Sequence, residues 1–140
     1  GANGQLHTNY EGRAQAAADV LLKEGYDFVY VHVEAPDEMG HQGSVERKVQ
    51  AIEYLDQRLI VHLKEALDAS GEDYRMMILP DHPTPICVRT HTSDPIPYLL
   101  YDSRKAFAGS AGVYNEKAAQ AGGIEVMHGY ELIDKLFEEK

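Results

Sequence analysis

Phe28-Val29-Tyr30-Val31-His32-Val33 is a run of β-branched and aromatic residues with no polar break except His32. A short run of this kind reads as a strand buried on both faces. Before it, Ala14, Ala17, Ala18, Leu21 and Leu22 recur at helical spacing, which predicts a helix over residues 11–24 with Gly25 as its stop. After it, Pro36, Gly40 and Gly43 mark residues 34–43 as a loop. Ser44 then reads as the N-cap of a long helix carrying Val45, Val49, Ile52, Leu55, Leu59, Leu63 and Leu67, which ends near Ser70-Gly71. A second strand is expected over Tyr74 to Leu79, a proline-studded loop from Pro80 to Pro97, and a third strand at Tyr98-Leu99-Leu100-Tyr101. Asn115 caps a short helix through Gln120, and a last helix is expected from His128 to Glu138. Helices alternating with buried strands predict an α/β layered domain with a mostly parallel sheet.

The 140 residues make one domain, 1–140, and 44% hydrophobic with 26% charged residues is the balance of a globular chain. No apolar run approaches the roughly 18 residues needed to cross a bilayer, so no membrane partner is expected. The formal net charge of −10 argues against nucleic acid, which needs clustered cations. The single cysteine, Cys87, excludes an internal disulfide and suits a reducing compartment such as the cytoplasm. Without a basic neighbour, Cys87 reads as a small buried hydrophobe. The opening Gly1-Ala2-Asn3-Gly4, with no initiator Met, reads as a piece of a longer protein.

In parallel sheets, ligands bind beyond the carboxyl ends of strands. Asp37-Glu38-Met39-Gly40-His41 follows the first expected strand, and Asp81-His82-Pro83-Thr84-Pro85 with Thr90-His91-Thr92 follows the second. Asp37, His41, Asp81, His82 and His91 are thus five candidate metal ligands in two strand-end segments. Carboxylate and neutral imidazole suit Zn²⁺ or Mn²⁺, whereas Mg²⁺ prefers an oxygen shell. Chance alone supplies roughly half an instance of each Asp–His spacing, so position after a strand carries the argument. Glu34 and Glu38 read as solvated loop carboxylates, His32 as a hydrogen-bonded core residue, and His7, His62 and His128 as surface or capping residues. No Gly-rich phosphate loop is present, and none of Ser44, Thr84, Thr90, Thr92 or Ser93 is nominated as a nucleophile.

Glu34 to Gly43, Asp81 to Pro85 and Thr90 to Pro97 resemble the cofactor-independent phosphoglycerate mutases, in the archaeal-type branch of the alkaline phosphatase superfamily. Gly1-Ala2-Asn3-Gly4, Thr8-Asn9-Tyr10 and the helix from Val45 to Arg58 are similar to the same branch. The resemblance covers all 140 residues and corresponds to the carboxyl-terminal third of a family member. It implies a three-layer α/β/α sandwich. It also implies two divalent ions, one held by Asp37, His41 and His91 and the other in part by Asp81 and His82. A further Asp, the phosphorylated Ser and the substrate-binding insert belong to the upstream part of the family, so no catalytic residue is assigned here. The implied activity is glycolytic interconversion of 3- and 2-phosphoglycerate through a phosphoserine, with this stretch inactive alone. Manganese is the expected ion, and cations at the site let an acidic chain hold an anionic substrate. Two alternatives stay open: another phosphatase, sulfatase or phosphomutase of the superfamily, and a non-catalytic binding or assembly module. A homo-oligomer is compatible with either.

Overall fold

The computed structural model describes residues 1–105 and 112–138. The chain divides into two compact units, Gly1–Glu72 with Thr84–Thr92, and the described part of Asp73–Pro83 with Ser93–Lys140. Each is treated by itself.

The first unit is helical. Helix α1 spans Tyr10–Leu22, and the Asn9 side chain caps it by accepting from Gly12 N at 2.9 Å. Tyr10, Ala14, Ala17 and Ala18 form its buried stripe. The next element corrects the sequence reading. Residues 34–43 are not a loop: α2 spans Ala35–His41, with Pro36 in its first turn, where a missing N–H costs nothing. Asp37 and Glu38 also lie in that turn, favourable to the helix dipole. Gly43, at φ +67, ends α2. Its N–H bonds Gly40 O, and Ser44 N–H bonds Met39 O, so two orphan carbonyls are satisfied. Ser44 then starts α3 (Val45–Leu55), its hydroxyl accepting from Arg47 N, as the sequence predicts.

Helix α3 runs through a wide π turn, Asp56–Ile60, into α4, Val61–Ser70, closed by Gly71 at φ +75. The expected single apolar stripe is split. Ala51, Leu59, Leu63 and Leu67 are buried, whereas Val45, Val49 and Ile52 are half or more exposed. Two ordinary turns take up about 7.2 residues. Ala51 and Leu59, eight apart, share the buried face because the π turn absorbs the difference. The same turn carries Arg58, which donates to both Glu11 oxygens at 2.6 and 3.0 Å. Its guanidinium lies over the Tyr10 and Tyr54 rings, 5.2 and 4.9 Å from their centroids, fixing α1 to the long helix.

Residues 28–33, expected as a buried strand, belong to no sheet among the described residues. Val29, Val31 and Val33 are half-buried and Tyr30 and His32 exposed. β-branched residues favour extended backbone, but a strand needs neighbours to pair with. His32 is therefore not in the core; its carbonyl accepts from Arg13 at 2.6 Å. Cys87, expected as buried, is an exposed free thiol. His7, His62 and His128 are exposed, as expected.

The second unit holds the only sheet among the described residues. Strand β1 (Arg75–Ile78) pairs antiparallel with β2 (Leu99–Asp102), Arg75 opposite Asp102. The expected mostly parallel sheet is thus not what these residues form. The segment joining the two strands contains no helix to carry the chain back for parallel pairing, so the second strand returns alongside the first. Asn115 caps α5 (Glu116–Gly122) through Ala118 N at 2.8 Å, as expected. The expected last helix is instead a 3₁₀ turn, Gly129–Glu131, and a single-turn α6, Asp134–Phe137. The Tyr114 hydroxyl donates to the Pro97 carbonyl, and burial pushes its pKa up to about 12.

Asp102 closes this unit. Arg104 donates to it at 2.9 and 2.8 Å and Arg75 at 3.0 Å, and these bonds, Arg104's foremost, hold its carboxyl well below the usual carboxylate range. A carboxyl depressed by folding adds stability that is complete above its unfolded pKa and is lost as pH falls toward the folded value. Asp102→Asn is therefore expected to lower the melting temperature at neutral pH. Its deficit against the wild type should shrink as pH is taken from about 5 to about 3 in thermal melts. A deficit that grows in acid would contradict the linkage.

Candidate metal centre

The first unit brings together three of the five sequence candidates. Asp37 and His41 sit four residues apart on α2, which puts them on one face of the helix. His91 comes from the segment Thr84–Thr92 of the same unit. Asp37 Oδ2 lies 3.3 Å from His41 Nε2, and Asp37 Oδ1 lies 3.4 Å from His91 Nε2. The two Nε2 atoms are 3.2 Å apart.

What brings these groups so close is a tight approach between α2 and Thr84. Thr84 is buried, and its hydroxyl donates to Asp37 Oδ1 at 2.5 Å. Lys48 of α3 donates to the Thr84 carbonyl at 2.6 Å. Gly40 faces the same carbonyl, where a Cβ would stand 2.6 Å from the oxygen. On the far side, His41 Nδ1 is 2.9 Å from the Arg89 carbonyl. A carbonyl only accepts, so Nδ1 carries the hydrogen and a neutral His41 turns a lone pair outward from Nε2.

That lone pair meets the Asp37 carboxylate at 3.3 Å and the His91 ring at 3.2 Å. A hydrogen on His91 Nε2 can be donated to either neighbour, and a cation between the three atoms can take the place of that hydrogen. Atoms bound about 2.1 Å from one ion stand about 3.0 Å apart in octahedral and about 3.4 Å in tetrahedral arrays. The observed spacings match, so carboxylate plus two imidazoles fit a divalent ion such as Zn²⁺ or Mn²⁺. The side chains of Asp37, His41 and His91 remain 29%, 36% and 51% exposed, which leaves the centre open to a ligand.

Asp81 and His82 lie in the second unit, just beyond β1. His82 N donates to Asp81 Oδ1 at 3.1 Å, and His82 Nε2 is 3.4 Å from Asp81 Oδ2. The Thr84 bond to Asp37 and the Arg89 carbonyl are contacts the sequence reading did not assign. Thr84 stood out only as a nearby hydroxyl, and a backbone carbonyl leaves no trace in residue type.

Residues 1–134 match the Metalloenzyme superfamily. The chain belongs to that superfamily. It is 42% identical over 140 residues to the 2,3-bisphosphoglycerate-independent phosphoglycerate mutase of Methanosarcina barkeri, covering 100% of this chain and 35% of that protein. It is 44% identical over 136 residues to the protein of the same name from Methanosarcina acetivorans, covering 97% of this chain and 34% of the relative. The PH0037 protein of Pyrococcus horikoshii shares its structure with a TM-score of 0.82 at 28% identity, over 100% of this chain and 42% of that one. The chain spans about a third of the length of the curated relatives it matches. Membership in a metalloenzyme superfamily agrees with the donor set that Asp37, His41 and His91 present.

Gly40→Ala is expected to destabilise the first unit by about 1–3 kcal/mol, because its Cβ meets a backbone oxygen that cannot rotate away. Urea denaturation measures this; an unchanged midpoint would mean that the close approach of α2 to Thr84 is not required.

Proposed function

We propose that the whole protein is a phosphoglycerate mutase that moves a phosphoryl group between the 3- and 2-positions of glycerate through a phosphoserine, in glycolysis. The reading rests on one observation above all: the acceptor atoms of Asp37, His41 and His91 converge at cation-binding distances. The 42–44% identity to proteins named as such mutases supports the substrate. In this reading Asp37, His41 and His91 hold one divalent ion, and Asp81 and His82 supply ligands to a second. Manganese is the proposed ion and the cytoplasm the proposed compartment. The Ser nucleophile and the substrate insert lie in the part of the longer protein that these 140 residues do not cover. The finer architecture, a three-layer α/β/α sandwich, belongs to the same proposal.

Bound ions at such a site polarise a phosphoryl oxygen and lower the pKa of an attacking hydroxyl. This chain's own part is to hold the cations. Asp37 offers two oxygens, one steadied by the Thr84 hydroxyl, and His41 turns Nε2 inward because Nδ1 is held by a carbonyl. The net charge of −10 would repel a phosphorylated acid unless the ions set the local field.

Two measurements test this. Full-length protein given 3-phosphoglycerate and Mn²⁺ should form 2-phosphoglycerate without releasing phosphate, while the 140-residue chain alone should not turn over. Release of inorganic phosphate would assign a phosphatase instead, and turnover by the short chain would refute the missing nucleophile. Mn²⁺ at about 100 times its dissociation constant should add about 2.7 kcal/mol of stability. Asp37→Ala or His91→Ala should remove most of that gain, and a gain unchanged in both would move the ion elsewhere.

A further inference from the structure

Arg89 is the one non-glycine residue with positive φ, +59, among the described residues. An arginine reaches that region only when its surroundings hold it there, and such residues gather at functional sites. Three contacts hold Arg89. Its N–H donates to the Pro85 carbonyl at 2.8 Å, closing a turn that begins at Pro85. Its carbonyl faces His41 Nδ1 at 2.9 Å. Its guanidinium lies over Gly43, where a Cβ would stand 2.4 Å from Nε and 2.8 Å from Cζ.

We propose that Arg89 is a positioning residue for the metal centre, acting through its main chain: the left-handed backbone aims its carbonyl at His41 Nδ1 and so turns Nε2 toward Asp37 and His91. The inference rests on the metal reading above and adds a cause for the orientation of one ligand. Side-chain identity at position 89 is secondary. What the site needs is a residue that can hold φ near +59 while its carbonyl accepts from the imidazole. Gly43 serves the same end, since it ends α2 and leaves room for the side chain that lies across it.

The contrast between two substitutions separates backbone from side chain. Glycine adopts positive φ freely, and a β-branched residue resists it. Arg89→Gly should therefore keep Mn²⁺ affinity within about threefold of the wild type, while Arg89→Val should weaken it about tenfold or more, as lost outer contacts to a ligating histidine do. Affinity is read by titration of the full-length protein with Mn²⁺ alone. In the metal-free protein, the ring nitrogen resonances of His41 should report hydrogen on Nδ1 in the wild type and in Arg89→Gly. That signature should be lost in Arg89→Val. Equal weakening in both variants would assign the role to the guanidinium and overturn the proposal, as would wild-type affinity in Arg89→Val. Should Arg89→Val fail to fold, hydrogen on Nε2 of His41 in the metal-free wild type overturns the proposal, and hydrogen on Nδ1 retained in Arg89→Gly supports it. A wild type that binds no Mn²⁺ but keeps hydrogen on Nδ1 sinks the metal reading and leaves the orientation of His41 standing.

Discussion

Three acceptor groups held within 3.4 Å of one another are the constraint around which the first unit is arranged. Without support from the fold, three such side chains would not hold this geometry. Here the fold supplies it at each member. Asp37 is tied by the Thr84 hydroxyl, and Thr84 in turn by Lys48. His41 is tied by the Arg89 carbonyl. His91 lies two residues beyond Arg89, so the turn that supplies the partner of His41 also delivers His91.

Helix α2 is the means by which local sequence becomes a site. A four-residue spacing on a strand-end loop could point two side chains anywhere; on a helix it stacks them on one face. Pro36 in the first turn and Gly43 after the last limit α2 to seven residues, enough for one such pair. Gly40 lets that short helix approach Thr84 closely. Each residue that reads as a loop former in isolation thus has a helical use.

Much of the scaffold was legible from residue type. Asn9, Ser44 and Asn115 cap helices because their side chains satisfy backbone N–H groups within three residues, an interaction the local sequence carries whole. Asp37, His41 and His91 were singled out by residue type and by their place after expected strands, and the structure brings their side chains within 3.4 Å of one another. What was not legible depends on partners distant in sequence or on backbone geometry. The run at 28–33 has strand propensity, yet no ladder forms there among the described residues. β1 and β2 were located nearly to the residue, but their antiparallel pairing depends on the course of the segment between them. The continuous stripe expected from Val45 to Leu67 assumed 3.6 residues per turn throughout. A single π turn moved Val45, Val49 and Ile52 off the buried face. Cys87 read as buried for want of a basic neighbour, but residue type does not say which way the turn at Pro85 faces, and the thiol is exposed.

The charge balance gains its meaning last. With 23 acidic residues against 13 basic ones, the chain as a whole repels anions. Three arginines are already engaged, Arg58 with Glu11, and Arg75 and Arg104 with Asp102. In the proposed function, a protein so composed holds a phosphorylated acid only where a compact positive charge outweighs the background at short range. A divalent ion does this because its field is concentrated at a few ångströms, while the surrounding carboxylates are screened over about 8–10 Å. In the proposed reading, the acidic composition and the cluster of Asp37, His41 and His91 are two parts of one electrostatic design, in which an ion would supply the positive charge and the protein its seat.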